Sequence, residues 1–249
     1  MTLSPAAREV LLALADDELL IGHRHSEWLG LAPFLEEDLA FATIAQDELG
    51  HARGLYELMN PGAVDELAFG RQADDYRCAW LVELPGHPWE AALVRHVIYD
   101  MAEEVRWRAL LQSSVPGLAE LAAKALREEE YHRRHGVPVL QRMFIGNQDS
   151  RRRIRRRLDE LLPLALALFE PSEGEDQAVW EGVLAAPMRD LEQEWRGRLE
   201  AVMAEVAEDV IWPEEPQGLG ARRGRRSPHF SEAMETMTAV LGLDPQASW

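Results

Sequence analysis

Two Glu-x-x-His motifs, Glu48-Leu49-Gly50-His51 and Glu129-Glu130-Tyr131-His132, fall inside long stretches of helical periodicity. The i, i+3 spacing puts each pair on one helix face. That face is the apolar one. Glu48 shares its stripe with Phe41, Ile44, Ala45, Ala52 and Leu55, and Glu129 with Ala122, Ala125 and Leu126. Two further long segments repeat the pattern. Glu18 lies among Leu11, Leu14, Ala15 and Ile21, and Asp100 among Leu93, Val97 and Trp107. A single Glu-x-x-His would carry little weight in a chain this rich in Glu. Four helices that each aim a carboxylate into the core constrain the fold far more.

Burying one carboxylate costs several kcal/mol after relaxation, and four facing each other cost more. Two divalent cations would neutralise four carboxylates, and the imidazoles of His51 and His132 would complete their shells. One carboxylate from each of two helices with Glu-x-x-His from the other two is the ligand pattern of ferritin-like di-iron bundles. Oxygen-rich ligation with imidazole and no thiolate suits iron or manganese. The candidate ligands are therefore Glu18, Glu48, His51, Asp100, Glu129 and His132. Glu103, one turn beyond Asp100, is the alternative to it, and His25 and His96 lie near the same face as supporting residues.

Apolar residues at helical spacing and few strand-like alternations give an all-α reading. Helices are expected over about 4–30, 33–60, 88–113, 118–144, 150–169, 176–210 and 230–243, with residues 61–87 irregular. Ser4 caps the first, with Pro5 at its first position. The expected architecture is a ferritin-like four-helix bundle with additional C-terminal helices and an extended C-terminal tail. It forms one domain over 1–249, with the core bundle at about 4–145 and accessory elements at about 150–249.

The 249 residues carry 26 Lys and Arg against 44 Asp and Glu, a net charge of −18. That excess disfavours nucleic acid and anionic membrane as partners. No uncharged apolar run is long enough to span a bilayer. The N-terminus lacks a basic leader, and with one cysteine, Cys78, no intrachain disulfide is possible, which points to the cytoplasm. Cys78 reads as a small buried hydrophobe, and the tryptophans as core or interface residues. Within this acidic chain, Arg151, Arg152, Arg155 and Arg156 form one basic cluster and Arg222 and Arg223 begin another. Such runs are either solvated faces balanced by neighbouring acids or contacts for an anion or a partner.

Across residues 13–56 the chain resembles the C subunits of bacterial phenylacetyl-CoA epoxidases. The resemblance is carried by Asp16-Asp17, Gly22, Arg24, Ser26-Glu27-Trp28, Ala32-Pro33, Leu35-Glu36-Glu37-Asp38-Leu39-Ala40, Asp47, Gly50 and Ala52-Arg53. It continues at Leu81-Val82-Glu83, Pro85-Gly86, Asp100 and Tyr131-His132, and reaches Pro245 and Trp249. It implies a ferritin-like fold and a structural subunit paired with an A-like catalytic chain that carries the di-iron centre. That complex epoxidises the ring of a CoA thioester, with electrons from a separate reductase. Such C subunits have lost most metal ligands. This sequence departs from them at Glu18, Glu48, His51 and Glu129, where it holds ligand-type residues. The rival expectation is a di-iron or di-manganese oxygenase or oxidase in its own right, and a chain with no metal is the limiting case of the structural role. The tail over 212–249 is expected to face a partner, and a homodimer could use the same surface.

Overall fold

The structure is a computed structural model, and it describes residues 3–243. Pro245 and Trp249 lie outside that range. Two long pairs make the bundle: α1 (Pro5–Ser26) against α2 (Leu35–Met59), and α5 (Trp89–Ala109) against α6 (Leu118–Ile145), with α2 also touching α6. Short helices α3 (Val64–Phe69) and α4 (Trp80–Glu83) lie in the connection between the pairs. Outside the bundle come α7 (Gln148–Ala165), α8 (Glu175–Trp180), α9 (Met188–Ala204) and α10 (Phe230–Leu243). Among the described residues there is no strand, and no helix is long and apolar enough to cross a membrane.

The helices α1 and α5 are buried on nearly every side. Each is covered by its bundle partner and by an outer layer: α4 and α8 on α1, α7 and α9 on α5. A helix covered all round stays apolar or pairs its charges internally, as Asp17 on α1 and Arg106 on α5 pair with each other. The hydroxyl of Ser4 accepts from Ala7 N at 3.1 Å and caps α1. Gly22 lets α1 and α2 approach at the level of the buried carboxylates. A Cβ there would sit 3.0 Å from the Leu49 side chain and 3.2 Å from the Ala45 carbonyl oxygen.

Four element boundaries differ from the sequence reading. The first helix stops at Ser26 because residues 27–34 are held by side chains: Trp28 Nε1 donates to Gly86 O at 3.1 Å, and Asp38 accepts from Gly30 N at 2.6 Å. The irregular stretch contains α3 and α4. The helix expected from about 150 begins at Gln148, because Asn147 caps α7, and the Ser150 hydroxyl accepts from Asn147 N as the other half of a capping box. The helix expected over 176–210 divides into α8 and α9, which begins after Pro187, and ends at Ala204. Trp107 and Trp195 are core residues, whereas Trp180 is 81% exposed.

The tail does not stand off from the bundle. Arg222 is buried and donates to the carbonyls of Ala13, Arg77 and Leu168 at 3.3, 2.7 and 2.8 Å. Arg226 reaches Glu83 Oε1 at 2.8 Å, and Ser227 N donates to Glu83 Oε2 at 2.7 Å. Gly224 takes φ +86°, and a Cβ there would fall 2.1 Å from Asp74 O, so only glycine closes this turn. Residues 221–233 are thus scaffolding on α1 and α4. Removing them is expected to destabilise the bundle rather than merely free an interface. Cys78 lies beneath this clasp, fully buried, and burial pushes its thiol well above the usual range.

Candidate metal centre

All six candidate ligands are buried at the bundle centre, each at most 1% exposed. Glu48, Asp100 and His132 offer ligand atoms that lie within 4.8 Å of one another. Beside them, His51 Nδ1 lies 3.3 Å from Glu18 Oε2 and 3.8 Å from Glu129 Oε1. Glu129 Oε2 is 3.4 Å from His132 Nδ1, so this carboxylate stands between the two imidazoles. The Glu-x-x-His face of α2 thus meets that of α6, and α1 and α5 each add a carboxylate.

Both imidazoles are oriented from outside. His51 Nε2 meets Glu128 Oε2 at 2.9 Å, and His132 Nε2 meets Asp47 Oδ2 at 3.3 Å. Each anchor immediately precedes the Glu of a Glu-x-x-His motif, and each crosses to the imidazole of the other helix. A carboxylate on one ring nitrogen that leaves the other turned inward is the usual support of a metal-bound histidine. The sequence reading missed Glu128 in this role and named Asp47 only through resemblance. The available signal was an acidic residue directly before each motif.

The electrostatics are unbalanced. Burial, then the charges of Glu18, Asp100 and Glu129, push the Glu48 carboxyl well above its usual range, and burial raises Glu129 as well. Burial alone would lower His51, but the hydrogen bonds it donates to Glu128 and Glu18 outweigh burial and push the imidazole up to about 9. The carboxylates hold His132 well above its ordinary value in the same way, again against burial. Both oxygens of Glu48, Asp100 and Glu129, Oε1 of Glu18 and Nδ1 of His132 lack a hydrogen-bond partner. Buried polar atoms are seldom left so. The donor set, four carboxylates and two inward imidazoles, fits a pair of divalent cations in charge and in chemistry.

Glu103 is not brought into this group, because Arg106 takes its carboxylate on the same helix. His25 lies 3.6 Å from Glu48 through Nδ1, and His96 lies 2.8 Å from Asp100 through Nδ1, both close to the carboxylates but without hydrogen-bond geometry. The arginine clusters have their own acids. Arg151 pairs with Glu208, Arg152 with Asp149, Arg155 with Asp159, Arg156 with Glu160 and Arg223 with Glu170. Arg222 is 2% exposed and closes on Asp17 at 2.8 Å, so its anion lies inside the chain.

Fold and site together define an all-helical, ferritin-like bundle with a buried carboxylate–imidazole centre compatible with metal. The chain belongs to the phenylacetic acid catabolic protein family, whose model matches residues 2–249. It is 30% identical over 242 residues to the C subunit of 1,2-phenylacetyl-CoA epoxidase from Escherichia coli K12, covering 96% of this chain and 97% of that one. It is also 24% identical over 162 residues to the A subunit of the same epoxidase, covering 61% of this chain and 52% of that larger one.

Proposed function

We propose that this chain is a C-type component of a phenylacetyl-CoA epoxidase-type multicomponent oxygenase, acting in the cytoplasm in aerobic phenylacetate catabolism. It pairs with an A-like catalytic chain that handles the CoA thioester. The observation that carries this reading is the end-to-end match to the C subunit of the Escherichia coli epoxidase. Co-expression with the A-like chain from the same source tests it. A stable complex on size exclusion, with epoxidase activity that needs both chains and a reductase, is the expected result. Separate elution and an A-like chain fully active alone would overturn it. The same column run on the isolated chain shows whether it forms a homodimer.

One observation favours a second role beside the first. The ligand set Glu18, Glu48, His51, Asp100, Glu129 and His132 fits a dinuclear site, di-iron or alternatively di-manganese, in this chain itself. Bound there, a redox-active pair would supply electrons for the activation of O₂. The residues' own work is separable from that chemistry. Glu129 lies between the two imidazoles, Glu48 lies beside Asp100 and His132, Asp47 and Glu128 fix the ring orientations, and the surrounding core excludes water. Metal analysis of protein purified without chelator tests this: about two equivalents are expected, and Glu48→Gln with Glu129→Gln should abolish them. A metal-free protein that takes up neither iron nor manganese would leave only the structural role.

A further inference from the structure

Leu29, Leu31, Phe34, Leu35 and Leu39 stand close together in sequence, and each is 55–70% exposed. They occupy the loop after α1 and the first turns of α2. The loop is pinned although its apolar side chains face outward. Asp38 accepts from Gly30 N at 2.6 Å, Glu27 accepts from Gly86 N at 3.1 Å, and the Trp28 and Trp89 rings meet edge to face at 5.1 Å. Apolar side chains held in water contribute little to the isolated chain. A contiguous patch of them, already ordered, marks a surface that a partner covers.

The patch continues along α2. After Leu39 the exposed residues of this helix are Thr43, Gln46, Leu49 and Gly50, and none is charged until Arg53. From Leu35 to Arg53 this stripe is about 27 Å long. The neighbouring α6 shows the contrast, for Glu120, Lys124, Arg127, Glu130 and Arg134 are all exposed there. A helix face that meets water carries such charges. On α2 the stripe also has relief. A Cβ added at Gly50 would meet nothing within 4 Å, so a hollow lies beside Leu49 in which a side chain of another helix can seat.

The two ends of the stripe carry opposite charges. Glu36 and Arg53 are both exposed, and neither has an oppositely charged group within 4.0 Å among the described residues. Unpaired charges of opposite sign at either end of an apolar strip fix the direction in which a partner lies. A second copy of this chain would bring a further net charge of −18 against the first, a long-range repulsion. An A-like chain fits better. The A subunit of the Escherichia coli epoxidase is similar to this chain over 162 residues, so such a partner can offer a related helical face, and related chains can meet through corresponding faces in a nearly two-fold arrangement. Granted the pairing with an A-like catalytic chain, we propose that it docks on the outward stripe of α2 and the loop before it, from Leu29 to Arg53.

Titration of the full-length chain against the A-like chain tests this. Leu39→Glu should weaken the complex by about 30-fold or more, the size of an interface hot spot. Arg53→Glu should weaken it less, by about fivefold, mainly by slowing association at low salt. Arg152→Glu, the same charge reversal on α7, should change nothing. All three side chains are exposed, so melting temperatures should match the parent's. In Gln46→Cys the introduced thiol is the one that a maleimide can reach, since Cys78 is fully buried. It should react in the isolated chain and be protected in the complex. Binding of Leu39→Glu as tight as the parent's, or a thiol equally reactive in the complex, would overturn this face and leave the pairing intact. No complex with the parent would overturn the pairing and the face with it. A dimer of the isolated chain that Leu39→Glu breaks, with affinity for the A-like chain unchanged, would give the face to a second copy and overturn the proposal.

Discussion

Asp17 and Glu18 are neighbours in the chain, both fully buried on α1, and they meet opposite surroundings. Asp17 is clasped by Arg222 at 2.8 and 2.9 Å, by Arg106 at 2.7 Å and by Ala79 N at 2.7 Å. Burial would raise its pKa, but the two arginines outweigh burial and hold it below the usual carboxylate range. Glu18 and the three carboxylates facing it have imidazoles within 4.0 Å and, among the described residues, no arginine or lysine. One region is a finished ion-pair network. The other is an anionic centre short of cations, although arginine was available one residue away. That contrast is what separates a structural buried acid from a candidate metal ligand, since burial alone is the same in both.

The largest effect expected is on the Asp17 side. Asp17→Ala removes the carboxylate that two buried guanidinium groups share, leaving Arg106 with Glu103 and Arg222 with carbonyls only, which costs about 3–5 kcal/mol. For a domain of this size that is a fall in Tm of about 6–20 °C in calorimetry. A fall of a degree or less would mean that the two regions are less different than the contacts imply.

Metal removal probes the other side. Bound metal stabilises the native state by mass action, about 3–4 kcal/mol at 100 to 1,000 times the dissociation constant. Chelation should therefore lower the parent's Tm by about 5–15 °C, and His51→Ala, which loses one inward nitrogen, should shrink that difference. A parent melt unmoved by chelator would place the centre with ordinary buried acids. A smaller effect carries a diagnostic sign. Glu48→Gln in metal-free protein removes like-charge repulsion and should raise Tm by a few degrees, about 1 kcal/mol, whereas any amide at Asp17 lowers it. In metal-loaded protein Glu48→Gln should be destabilising, because a ligand is lost.

The asymmetry also explains what could be read from sequence. The carboxylates Glu18, Glu48, Asp100 and Glu129 were legible because helical phase is local: each sits on a stripe defined by residues within two turns. The bundle and the final helix Phe230–Leu243 were legible for the same reason. What pairs with what was not local. Arg222 reaches Asp17 across 205 positions, and Glu128 reaches His51 across 77. No periodicity encodes such partners, so Arg222 read as either a solvated basic residue or a contact for an anion or a partner, and Glu103 remained interchangeable with Asp100 until Arg106 claimed it.

In pH dependence, too, the regions should differ in sign. Asp17 has a folded-state pKa below its unfolded value. Its contribution to stability is complete above about pH 4, the unfolded carboxylate range, and is lost as pH falls through the folded value. Glu48 and Glu129 are raised, and His51 is raised to about 9. In metal-free protein these groups hold more protons folded than unfolded, so stability falls as pH rises, for His51 between about 6.5 and 9. Each proton contributes at most about 1.4 kcal/mol per pH unit. Urea midpoints measured from pH 3 to 9 in chelator should therefore decline toward both ends. Asp17→Asn should flatten only the acid limb, and His51→Ala only the alkaline one. With metal bound the sign at the centre reverses. Ligands must be deprotonated to bind, so loaded protein should gain stability with rising pH over the range in which the metal-free protein loses it. Identical alkaline limbs with and without metal would mean that the bundle-centre groups are not the ones that hold it.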